Sequence, residues 1–165
     1  MYRYTLCLLK SENEVLLLNR EKPPAMGLWN GVGGKIESGE TVEASVCREV
    51  FEETGYKIEH PLYKGEVILH GEQQVGMHLF VVEVTKHEAA DKVQRTREGI
   101  LEWKQIDWVL HPDNMGIISN LKQYLQPMLD HPMPRRHTFR YDGHELLTYT
   151  HDQLDEASSI VHKTR

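Results

Sequence analysis

The sequence predicts an α+β fold built in layers. Three observations carry that reading: short apolar strand patterns fill most of the chain, two stretches of helical periodicity lie among them, and no internal repeat or linker divides it. A length of 165 residues suits one core, so residues 1–150 read as a single domain and 151–165 as a polar C-terminal tail, poorly ordered or a short end helix.

Residues 2–10 and 14–19 read as the first two strands, with Ser11-Glu12-Asn13 as the turn between them. Pro23 and Pro24 mark a loop. Thr41 is placed to cap a helix, Glu43 stands in its first turn, and Gly55 stops it. Within it Val42, Val46 and Val50 recur at helical spacing, and Ala44, Cys47 and Phe51 widen the apolar face. Further strands are expected over residues 62–70, 77–84 and 102–106, with a polar loop over 86–98 and a short turn at Trp108-Val109-Leu110. A second helix is predicted over residues 115–129, with Asn114 as a possible cap and Pro127 ending it early or kinking it. Its stripe is Ile117, Ile118, Leu121, Tyr124, Leu125 and Met128. Residues 137–141 and 144–149 form a hairpin about Asp142-Gly143.

The formal net charge of −6 argues against an extended nucleic-acid surface. The apolar runs Leu6-Cys7-Leu8-Leu9 and Leu79-Phe80-Val81-Val82 are strand-length, so neither a secretory signal nor a membrane span is read. Cys7 and Cys47 lie in apolar patterns and read as small buried thiols of a cytoplasmic protein. The histidines lack zinc-ligand spacing, and none is assigned to metal.

The polar face of the first helix carries the chemistry. Glu49 precedes Glu52 by three residues and Glu53 by four, so three carboxylates crowd one patch of helix. Each like-charge pair opposes the helix by roughly 0.2–0.5 kcal/mol. A bound cation offsets that cost, and oxygen-rich clusters suit Mg²⁺ or Mn²⁺. The competing reading is a solvated acidic face.

The spacing decides between them. Gly34, five residues, Glu40, seven residues, Arg48-Glu49-Val50, one residue, Glu52-Glu53, one residue, then Gly55 and Tyr56 resembles the Nudix box, with Tyr56 where an aliphatic core residue is usual. The resemblance implies a mixed β-sheet sandwiched between α-helices, the box helix on one side and the late helix on the other. It implies Mg²⁺-dependent hydrolysis of a phosphoanhydride, with Mn²⁺ as an alternative metal. It makes Glu52 and Glu53 metal ligands and Glu49 a ligand or base, with Arg48 orienting a carboxylate. Gly33 would offer its carbonyl to the metal, and Glu40 would tie loop to helix. A further carboxylate is expected from Glu98 or Glu102, with Glu98 favoured.

Outside the box, Trp29-Asn30-Gly31-Val32-Gly33-Gly34-Lys35, Pro112-Asp113-Asn114 and the hairpin's Leu146-Leu147-Thr148-Tyr149-Thr150 resemble the MutT-like oxidised purine nucleoside triphosphatases, the 8-oxo-dGTPase branch in particular. That similarity implies substrate contacts from Asn30, Lys35, Asp113 and Asn114, with Asn30 and Asp113 at the purine edge. Asn114 stands where the branch has a second Asp, and His111 where it has a stacking Trp. The implied reaction releases a nucleoside monophosphate and pyrophosphate, cleansing the nucleotide pool. Two alternatives stand beside it. One is the same chemistry on another nucleoside diphosphate derivative, such as a sugar nucleotide, dinucleoside polyphosphate or capped RNA end. The other is a nucleotide-sensing module without turnover.

Overall fold

Alternation of side chains at period two sorts the strands into two faces. In the computed structural model, which describes residues 2–87 and 92–155, Leu6, Leu8, Val15, Leu17, Leu79 and Val81 meet on one side of the sheet. Their immediate neighbours Cys7, Leu9, Leu16, Leu18 and Phe80 point to the other. Each face is apolar, so each needs a cover.

The sheet contains β1 (Tyr2–Ser11), β2 (Glu14–Arg20), β3 (Trp29–Asn30), β4 (Val32–Lys35), β5 (Leu62–His70), β6 (Gln74–Glu83), β7 (Gln94–Arg95), β8 (Gly99–Gln105), β9 (Arg135–Asp142) and β10 (Glu145–Gln153). The helices are α1 (Val42–Thr54), α2 (Ile106–Leu110) and α3 (Ser119–Asp130). Strand order is β10-β9-β5-β6-β1-β2-β8-β7, with β3 added to β2 and β4 to β1. The β1–β6 and β5–β9 pairs are parallel and the rest antiparallel, so the sheet is mixed. Helix α3 covers the first face with Leu121, Tyr124, Leu125 and Met128. Helix α1 covers the second with Val46 and Val50. The expected sandwich is therefore the observed fold.

Local chemistry explains α1 well. Thr41 Oγ1 accepts from Ala44 N–H at 3.1 Å, and Gly55, at φ 75°, donates its N–H to Phe51 O. Its apolar face is narrower than the sequence suggests: Phe51 is 56% exposed and Ala44 is exposed, because both lie off the stripe that meets the sheet. Cys47 is half-buried rather than fully so, whereas Cys7 is buried. Tyr56 is a core residue, stacked on His87 at 4.0 Å between ring centroids and edge-on to Trp103.

Other boundaries moved for identifiable reasons. Helix α3 begins at Ser119, not at residue 115, because Trp29 takes Ile117 into a β-bridge and exchanges backbone bonds with Gly116 and Ile118. Asn114 accordingly caps no helix; its Oδ1 accepts from Gly116 N–H. Pro127 does not end α3 early, since it sits in the last turns and the helix continues to Asp130. The hairpin turn is centred on Gly143-His144, as Asp142 pairs with Glu145. Part of the expected polar loop, Gln94–Arg95, pairs with β8 as β7, and residues 88–91 of it lie outside the described residues. Strand β8 starts at Gly99 and ends at Gln105, where α2 takes over. Strand β10 runs to Gln153 and Leu154 is buried; residues 156–165 of the expected tail lie outside the described residues. No helix among the described residues is long and apolar enough to cross a membrane.

Leu8, fully buried at the sheet centre, tests this packing. Leu8→Ala is expected to lower unfolding free energy by about 2–5 kcal/mol in urea titrations. A loss under about 1 kcal/mol would contradict the core assignment.

Candidate active site

The loop after β4 brings the chain from the sheet into α1, and that connection builds the site. Glu49, Glu52 and Glu53 of α1 line one cleft of about 460 Å³ together with Thr96, Arg97 and Glu98. Glu98 thus joins the α1 carboxylates, as favoured from sequence. Glu102 does not: it accepts from Lys104 Nζ at 2.7 Å and is no part of that lining. Thr96 and Arg97 carry no motif, and only the folded loop reveals them. Thr96 pins it, its Oγ1 accepting from Glu98 and Gly99 N–H at 3.2 Å each.

Glu53 Oε2 accepts from Gly33 N–H at 3.0 Å. Gly33 thus meets the cluster through its N–H, and the carbonyl expected to face a metal is a separate atom of the same residue. Side chains are excluded from both adjacent glycines. A Cβ on Gly33 would lie 2.0 Å from Thr5 O, and one on Gly34 would lie 2.5 Å from the Glu49 carboxylate. Gly33 lets β4 lie close against the β1 backbone, and Gly34 leaves room for the Glu49 carboxylate.

Arg48 organises the opposite flank. Its Nε and Nη2 hold Glu40 at 2.7 and 3.0 Å, a bidentate pair. Nη1 reaches Glu49 at 2.8 Å and Glu52 at 3.3 Å, and Nη2 also donates to Lys35 O at 3.2 Å. Glu40 in turn accepts from Glu37 N–H. Hydrogen bonding from Arg48 holds the Glu40 carboxyl down at about 2. The tie of loop to helix expected of Glu40 is this clamp.

Glu53 is shifted the other way. Burial pushes its carboxyl up to about 8, and the charges of Glu49 and Glu98 add to the shift. Among the described residues no three His, Cys, Asp or Glu side chains enclose a single point as they stand. The donor chemistry nonetheless fits a hard divalent cation: several carboxylate oxygens face one cleft, and Glu53 is held back from ionising by burial first and by the charges of Glu49 and Glu98 after it.

A second group of residues gathers at β3. Trp29 N–H donates to Gly116 O at 2.8 Å and Ile118 N–H to Trp29 O at 3.0 Å. These bonds hold residues 116–118, just after Pro112-Asp113-Asn114, against the strand that carries Asn30. Asn30 Oδ1 accepts from Gly31 N–H, and among the described residues its Nδ2 has no protein partner. Asp113 is exposed, and its carboxylate likewise has none. Asn114 Nδ2 donates to Trp108 O at 2.8 Å and its Oδ1 accepts from Gly116 N–H, so both ends of the amide shape the loop. Lys35 is exposed and contributes its carbonyl to Arg48. Lys104 Nζ lies over the rings of Trp29 and Trp108, at 4.5 and 4.6 Å from their centroids.

Known proteins share this arrangement of elements. The family model described as NUDIX domain matches residues 2–130. The uncharacterised Nudix hydrolase YvcI of Bacillus subtilis is 36% identical over 110 residues, 65% of this chain and 68% of that protein. Oxidized purine nucleoside triphosphate hydrolase of Mus musculus is 30% identical over 117 residues, 67% of this chain and 70% of its own length. The crystal structure of the MutT protein from Bacillus halodurans superposes with a TM-score of 0.75 at 30% identity, covering 92% of this chain and 98% of that one. With the box helix, mixed sheet and acidic cleft in place, the chain belongs to the Nudix hydrolase family.

Proposed function

We propose that the protein is a Mg²⁺-dependent nucleoside triphosphate pyrophosphohydrolase that prefers oxidised purine nucleotides, such as 8-oxo-dGTP. One observation carries the chemistry: Glu49, Glu52, Glu53 and Glu98 share a single cleft, with Gly33 N–H directed at the half-buried Glu53. In this reading Glu52, Glu53, Glu49, Glu98 and the Gly33 carbonyl hold the metal, and Mn²⁺ can replace Mg²⁺. The bound cation supplies charge neutralisation for the polyphosphate and acidifies water. The remaining work falls to the protein. Arg48 fixes Glu49 and Glu52 in orientation, and Glu40 fixes Arg48. A carboxylate of the cluster, Glu49 in the first place, takes the proton from the attacking water.

Base recognition is assigned to Asn30 and Asp113, which β3 and the loop after α2 bring to neighbouring segments of backbone. Asn30 Nδ2 donates to the base, and Asp113 accepts from base N–H groups or donates when protonated. Asn114 serves them indirectly, through the loop. Lys35, exposed at the end of β4 beside the cluster, contacts phosphate.

Steady-state turnover across canonical and 8-oxo nucleoside triphosphates, sugar nucleotides and dinucleoside polyphosphates tests this reading. The expected kcat/KM for an oxidised purine triphosphate is about tenfold or more above its canonical parent, and Asp113→Ala removes that preference. Turnover confined to a nucleoside diphosphate derivative would replace the proposed substrate while leaving the carboxylate chemistry intact. Tight nucleotide binding without turnover of any of them would overturn both.

A further inference from the structure

Lys122, on the first turn of α3, meets no acidic partner among the described residues. Its ammonium donates instead to three carbonyls of one loop: His111 O at 2.7 Å, Asn114 O at 2.8 Å and, more weakly, Pro112 O at 3.4 Å. An ammonium has three N–H donors, and all three are used here. We propose that Lys122 is the positioning residue of the nucleobase loop, holding Asp113 in its reading position without touching substrate; the proposal rests on the base-recognition role given to Asp113 above.

The geometry explains why a cation is needed. The three carbonyls belong to the residues on either side of Asp113, so their oxygens turn inward toward one point. Dipoles converging in that way repel one another unless a positive charge stands among them. Asp113 is thereby the member of residues 111–114 whose own carbonyl lies off the ammonium, and its carboxylate remains outward and exposed.

The other bonds of the loop complete the brace. Asp113 N–H donates to His111 Nδ1, Asn114 N–H to His111 O, and Asn114 Nδ2 to Trp108 O. Trp29 and Gly116 then tie the loop to β3 and Asn30. Removing Lys122 leaves the partners of these short-range bonds in the chain but takes away the side-chain brace from α3 that steadies them. The carboxylates on α1 are untouched by that change, so binding and chemistry separate.

Lys122→Met keeps stem length and apolar bulk while deleting charge and donors, and Lys122→Arg keeps both of those. The Met variant is expected to fold, to raise KM for the preferred purine triphosphate by about tenfold or more, and to leave kcat within about threefold. Its 8-oxo preference falls with the binding. The Arg variant is expected to recover KM to within about threefold of the parent. Amide exchange at Asn114 and Gly116, read without substrate, accelerates by about tenfold or more in the Met variant alone. Unchanged KM and unchanged exchange in a folded Lys122→Met protein would overturn the proposal. So would parallel losses of kcat, KM and melting temperature, which mark general destabilisation. If the unsubstituted protein hydrolyses no triphosphate, the base-reading assignment fails, and the exchange rates alone still decide whether Lys122 braces the loop.

Discussion

Glu53→Gln is expected to lose activity and gain apo stability in the same variant. Activity falls because the substitution removes a carboxylate of the cluster proposed to hold the metal, by roughly 10²–10⁴ in kcat. Stability rises because the Glu53 carboxyl sits in an environment that penalises its charge: burial first, then the neighbouring Glu49 and Glu98. Folded, it keeps its proton up to about 8, whereas an unfolded glutamate releases it near the ordinary 4.5. Between those values the folded state binds a proton the unfolded state has given up. Apo stability therefore falls as pH rises through that window, by an amount on the order of a few kcal/mol. Glutamine carries no titratable proton and can still accept from Gly33 N–H, so the variant should lose most of this slope. Urea denaturation in chelator at pH 5 and pH 8, for parent and variant, measures both. Adding Mg²⁺ should stabilise the parent and leave the variant nearly unchanged. A parent equally stable at the two pH values would contradict the reading of Glu53.

Arg48→Ala carries the second large effect. One guanidinium meets Glu40, Glu49, Glu52 and the Lys35 carbonyl, and the Glu40 and Glu49 side chains it holds are only 14% and 15% exposed. Truncation leaves two poorly solvated carboxylates unpaired beside the other acidic residues of the cluster. The expected cost is about 1–3 kcal/mol of stability. The expected drop in kcat is roughly 10–100-fold, as Glu49 and Glu52 lose their orientation. Arg48→Lys should recover little, because a single ammonium cannot form the two-pronged contact with Glu40 while reaching Glu49. Wild-type kcat in a folded Arg48→Ala protein would remove Arg48 from the catalytic machinery.

These effects concentrate where local sequence was most informative. Thr41, Gly55 and the valines of α1 act within a turn or two of themselves, so the helix, its caps and its acidic patch were legible from spacing alone. The sheet faces were legible for the same reason, since alternation is a property of neighbours. The identities of residues meeting across the fold were not. Asn114 looked like a substrate contact because it stands where the similar enzymes carry a second Asp, and only the fold shows its amide bonded to Trp108 and Gly116. The start of α3 was misplaced because Trp29, far away in sequence, competes for Gly116, Ile117 and Ile118. Phe51 read as core because its type is apolar, although the helix turns it to solvent. Lys122 and Arg97 sit in no pattern, and their roles depend on which loop the tertiary structure sets before them.

The most direct test of the carboxylate cleft is ³¹P NMR of the products formed from 8-oxo-dGTP, with Mg²⁺ and with the metal chelated, by the parent and by pure Glu52→Gln. The expected result is nucleoside monophosphate and pyrophosphate in equal amounts, formed by the parent only when metal is present and not by the variant. Diphosphate with inorganic phosphate as products, hydrolysis that survives chelation, or undiminished hydrolysis by folded Glu52→Gln would contradict it.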